Sequence, residues 1–161
     1  MTAIIDYVRE GKYLEAYQQM EQMRRRQKWN YITTVLDEDS PLLAYSFLLY
    51  MVSQDDNEAE WHFYCYMYLV YCNLFFDDAM RLAMWHLKQA ISLQPLNSAY
   101  KKEVISIGYS YPVKHFTDEE FQRYAADVIA EEPDNKNAKE VLGIVIAPET
   151  WRQRWKRLWT Y

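Results

Sequence analysis

Residues 61–76 constrain this chain more than any other stretch. Fourteen of those sixteen residues are apolar or aromatic and none is charged, so a helix here is hydrophobic all round and must be buried on most sides. The run falls short of the roughly 20 apolar residues that cross about 30 Å of hydrocarbon, and His62 and Asn73 interrupt it near its two ends. It reads as a core helix, with no membrane span. Eight of the sixteen residues are aromatic. The hydroxyls of its tyrosines each need a partner or water when buried, which points to Tyr64, Tyr68 and Tyr71 as the wall of a groove.

The next segment differs in kind. Ala79, Leu82, Ala83, Leu87 and Ala90 recur at helical spacing while Arg81, Lys88 and Gln89 fall between them, the pattern of an amphipathic helix folded back on the first. Asp77 and Asp78 suit its positive start and Pro95 lies just past its end. Alanine recurs where the rest of the stripe is large, so Ala83 and Ala90 are expected at tight helix crossings.

Three glycines in 161 residues are far below the usual share of about 7%. Strand turns and phosphate-cradling loops use glycine, so an all-α fold is expected. The length suits a single domain, 1–161, able to bury a core without staples. A formal charge of −5 speaks against a nucleic-acid partner. Two cysteines and a start without a basic region or long apolar stretch point to a cytoplasmic protein.

Along the chain, Ile4, Ile5 and Val8 make a short helix that Gly11 can end, and a second helix begins at Tyr13 with Ala16, Met20 and Met23 along one face. That second helix is expected to run into Arg24, Arg25, Arg26 and Lys28, whose charges suit a helix C-terminus. The β-branched stretch 31–36 reads as helix for want of a strand to pair with. Ser40-Pro41 caps a further helix over 42–53. Asn97 or Ser98 starts another, which Gly108 ends. Thr117 and Glu120 form a capping box that opens a helix carrying Phe121, Tyr124, Ala125 and Val128 inward. A last stripe, Ala138, Val141, Leu142 and Val145, follows Asp134-Asn135.

Ala83, Leu87, Ala90 and Pro95, with Gly11, Tyr13 and Ala16 at an earlier turn and Pro133, Asp134, Asn135, Ala138, Leu142 and Gly143 at a later junction, resemble the tetratricopeptide repeat, a helix-turn-helix unit of about 34 residues. Ala16 and Ala83 stand 67 residues apart, about two periods. The resemblance is to a degenerate repeat. It implies antiparallel helical hairpins stacked as a short tetratricopeptide-like α-solenoid, with a concave surface that binds a protein segment.

The tail, 147–161, reads as a C-terminal capping helix that Pro148 can begin. Trp151, Trp155, Leu158 and Trp159 fall on one side of it and Arg152, Arg154, Lys156 and Arg157 around the remainder. A basic, tryptophan-bearing helix also suits an acidic partner, which makes Trp151, Arg152, Trp155 and Lys156 candidate partner-binding residues beside Tyr64, Tyr68 and Tyr71.

Chemistry is poorly supplied. His62, His86 and His115 stand apart without metal-ligand spacing, and Cys65 and Cys72, seven positions apart, read as small buried hydrophobes. No phosphate loop, dinucleotide fingerprint, nucleophile elbow or zinc spacing is present in the sequence. The expectation is a protein without catalytic residues, cofactor or metal that acts by binding another polypeptide. Small acidic helical proteins commonly serve as bacterial immunity proteins or secretion chaperones, so the expected partner is a toxin or a secreted client. The alternative is a regulatory sensor with a small apolar ligand or peptide in the aromatic pocket.

Overall fold

The computed structural model describes residues 3–36, 38, 40–55, 57–71, 78–108 and 115–144. Every regular element among them is helical, as the shortage of glycine implied. None of these helices is long and apolar enough to cross a membrane. The chain divides into two compact units, Met1–Pro95 and Leu96–Tyr161. The expected 147–161 helix, with Trp151, Arg152, Trp155 and Lys156, lies outside the described residues, as do Cys72, Asp77 and Val145.

The first unit begins with α1 (Ile4–Arg9) and α2 (Tyr13–Glu21). Gly11 sits between them at φ +72°, in the left-handed region that costs glycine nothing. The expectation that α2 runs on through the arginines is corrected here. It stops at Glu21, and α3 (Arg25–Asn30) starts afresh with the Arg24 amide donating to Gln27 Oε1 at 2.9 Å. The positive charges therefore stand at a helix start, where the dipole opposes them. Lys28, in the last turn of α3, is buried, pairs with Glu21 Oε1 at 2.9 Å and lays its ammonium 4.7 Å from the centre of the Trp61 ring.

α3 continues as a π-helical turn, Tyr31–Leu36. Its cause is local. The hydroxyls of Thr33 and Thr34 donate to the carbonyls of Trp29 and Asn30, the acceptors an α-helix would offer to their amides, so the backbone widens. The phenol oxygen of Tyr31 accepts from the Ile5 amide at 2.9 Å and ties this turn to α1.

Ser40 caps α4 (Pro41–Gln54), its Oγ accepting from the Leu43 amide at 3.3 Å, a contact worth about 1 kcal/mol. α5 (Ala59–Tyr71) is the apolar helix of the long hydrophobic run and α6 (Ala79–Leu93) its amphipathic partner. Among the described residues they form the most extensive helix pair, and α4 packs on α5. Ala59, Trp61, His62, Tyr64, Cys65, Tyr66, Tyr68 and Leu69 of α5 are all buried, as all-round hydrophobicity requires. Ala83 and Ala90 are wholly buried on α6, together with Leu87.

In the second unit, Asn97 caps α7 (Ser98–Glu103), which continues as a π-helical turn, Val104–Gly108. The Thr117–Glu120 capping box opens α8 (Asp118–Glu131), with Phe121, Tyr124, Ala125 and Val128 buried, and α9 (Lys136–Ile144) folds against it. Leu142 stays partly exposed while Ala138 and Val141 are buried, so the inward stripe of α9 is narrower than its sequence suggests.

Candidate functional site

The polar chemistry of the first unit gathers where α4, α5 and α6 meet. His62 comes from α5 and His86 from α6, and their Nδ1 atoms face each other at 3.0 Å. On the far side of the His86 ring, Tyr45 of α4 brings its hydroxyl to 3.3 Å from Nε2. Both imidazoles are buried, 5% and 1% exposed. The Trp85 ring meets both edge-on, at 5.6 Å from His62 and 4.8 Å from His86, and is itself half exposed.

Burial first, and then the neighbouring His62, depress the basicity of His86 to about 3, because an imidazolium there loses its water and meets a like charge. Burial raises the Cys65 thiol well above its ordinary range, and raises the Tyr45 hydroxyl too, with Cys65 adding to the effect. All three groups are therefore neutral at physiological pH. None is an activated nucleophile. Among the described residues no set of three His, Cys, Asp or Glu side chains converges as a metal site would require.

The three candidate tyrosines separate. Tyr64 is buried, donates its hydroxyl to Glu60 Oε1 at 3.0 Å, and packs on Trp29 and Trp61 with ring centres 5.6 and 5.5 Å away. Tyr68 is buried, stacks on Tyr45 at 6.4 Å and donates to the Pro41 carbonyl at 3.1 Å. Tyr71 leaves half its surface exposed. The first two hydroxyls thus found protein partners inside the core, and only Tyr71 of the three faces outward.

Reading the histidines as isolated missed their pairing. The signal was present in the spacing, since His62 and His86 lie 12 positions either side of residue 74. In an antiparallel hairpin that turns between Tyr71 and Ala79, such positions stand opposite each other. A second feature without a sequence forecast is the outward face of α4. Leu42 and Leu49, two helical turns apart, are 71% and 42% exposed, and no residue of that helix is charged.

No family model, curated protein or solved structure matches the chain.

Proposed function

We propose that this protein works by binding another polypeptide, as a non-enzymatic module of the short tetratricopeptide-like kind, and that the outward face of α4 is part of its contact surface. One observation carries the reading. Leu42 and Leu49 leave large apolar area in water on one face of the helix, and Ser46 and Ser53, which share that face, are small and uncharged. A helix that only needed solubility would place charge there. Half-exposed Tyr71 and, by their residue types, Trp151, Arg152, Trp155 and Lys156 are further candidate contacts, since aromatic and arginine side chains dominate interface energetics. The setting that fits is cytoplasmic, with a toxin or secreted client as the partner.

The test begins with capture from the native host, followed by a dissociation constant between the two purified proteins. Leu42→Asp combined with Leu49→Asp changes only exposed positions, so helicity and melting should be kept while binding weakens by about tenfold or more, equivalent to at least 1.4 kcal/mol. An unchanged dissociation constant in the folded double variant rejects this face as the contact.

A further inference from the structure

We propose that the arginines at the start of α3, Arg24 and Arg26 with Arg25 between them in sequence, form a docking patch for an acidic segment of the polypeptide partner, whose carboxylates meet the guanidinium groups.

The chain has carboxylates to spare, 23 acidic against 18 basic residues, and other cations of the first unit use them. Arg9 pairs with Asp6, Lys12 with Glu10, Lys28 with Glu21 and Arg81 with Asp78. Arg24 and Arg26 do not. Both are exposed, and neither guanidinium makes an ion pair or hydrogen bond with a described residue. Arg24 bonds through its backbone, its amide donating to Gln27 Oε1 and its carbonyl accepting from the Gln27 and Lys28 amides. Glu21, the nearest acid in sequence, gives its Oε1 to Lys28 at 2.9 Å.

This arrangement works against the fold. Like charges in successive positions repel one another, and they stand at the end of α3 where the helix dipole is positive and acids would stabilise. Carboxylates brought by a partner remove both penalties at once, so the electrostatic gain is realised only in the complex. The guanidinium fork matches a carboxylate with two parallel N–H···O bonds. Trp29, one turn beyond Arg26 and partly exposed, offers ring surface next to it for an apolar residue of the same segment. Nucleic acid and membrane surfaces fit less well, because a broad polyanion also meets the excess of acid that gives this chain its charge of −5. A short acidic segment meets the arginines alone.

The acidic segment belongs to the polypeptide partner proposed above, so the patch rests on that reading, but its test does not use the α4 face. The probe is a fluorescein-labelled hexaglutamate peptide ending in leucine, titrated with the whole chain and followed by fluorescence anisotropy in about 20 mM salt, where screening is slight. Saturable binding with a dissociation constant below about 1 mM is expected, weakened by about fivefold or more in the double variant Arg24→Gln with Arg26→Gln and also by raising the salt to about 150 mM. The double variant should melt no lower than the native chain, since it relieves the repulsion and the opposed dipole. Lys136→Gln, which removes an exposed cation from α9, should leave binding unchanged. No saturable binding, equal binding by the double variant, or an equal loss in Lys136→Gln overturns the patch. So does a double variant that melts several degrees lower, because the arginines would then hold the fold together. Tighter binding of an oligothymidine or of phosphatidylserine vesicles through the same arginines overturns the choice of an acidic polypeptide. If the glutamate peptide fails while the Leu42 and Leu49 variant still loses its partner, polypeptide binding stands and this patch falls.

Discussion

The α5–α6 hairpin and the α7–α8 pair solve one packing problem with different chemistry. α5 meets α6 through rings, alanines and a buried imidazole pair. α7 meets α8 through lysines, with Lys101 Nζ on Asp127 Oδ2 at 2.6 Å and Lys102 paired with Glu132 just beyond α8. The reason lies in the helices themselves. α5 has a single charged residue, Glu60, so it can be held only by burial. α7 and α8 are rich in charge; Lys101 is buried with its ammonium on Asp127, and Lys102 keeps its pair with Glu132 partly at the surface. Burial is strong and blind to salt. Exposed ion pairs are weak and screened.

The largest effect expected from this contrast is at Trp61. Its ring is buried, meets Tyr17 and Tyr64, and lies under the Lys28 ammonium. Trp61→Ala should cost about 3–5 kcal/mol in a denaturant melt, a large share of a total of about 5–15. A loss under about 1 kcal/mol would mean that the aromatic layer collapses easily and the first unit is no more burial-dependent than the second.

Acid should separate the two regions next. The basicity of His86 is depressed from 6.5 to about 3 in the folded state. Its contribution to stability is intact above about pH 6.5; below that the unfolded chain takes a proton the folded chain refuses, at about 1.4 kcal/mol per pH unit. The Glu132 carboxyl is lowered too, from 4.5, chiefly by the Lys102 hydrogen bond and then by Asn135, so its contribution holds above about 4.5 and fades only below it. Amide hydrogen exchange at about pH 5 should therefore show α5–α6 losing protection relative to pH 7 while α7–α8 keeps it. Equal loss in both helix pairs would remove the distinction.

The smallest effect belongs to Lys102. Replacing it with methionine keeps the stem and deletes the charge, and since both partners of the pair are partly exposed stability should change by less than about 1 kcal/mol. That difference should vanish in roughly 1 M salt, where the screening length is about 3 Å. A salt-independent loss above about 2 kcal/mol would show that the ion pair acts as a buried one.

Local chemistry was legible from the chain alone. Ser40 with Pro41, Asn97, and Thr117 with Glu120 cap the helices expected of them because the cap and the amides it satisfies lie within three residues. The burial of α5 followed from its having apolar residues on every side, whatever its neighbours. The break before α3 did not follow, and neither did the burial of Lys28, which depends on Glu21 and on the Trp61 ring, 33 positions later, being placed to receive its ammonium.

Sequence by itself determined that the chain would be helical, where most helices begin, and that α5 would sit inside. Those outcomes depend on hydrogen bonds and periodicity within a few turns of one helix. Tertiary structure decided which tyrosines went inside, that Leu42 and Leu49 would face water, and that two histidines 24 positions apart would share one hydrogen bond. Each of those depends on the register of one helix against another. A slide of a single residue between α5 and α6 would displace the opposed nitrogens by about 1.5 Å along the axis and turn them out of line by about 100°.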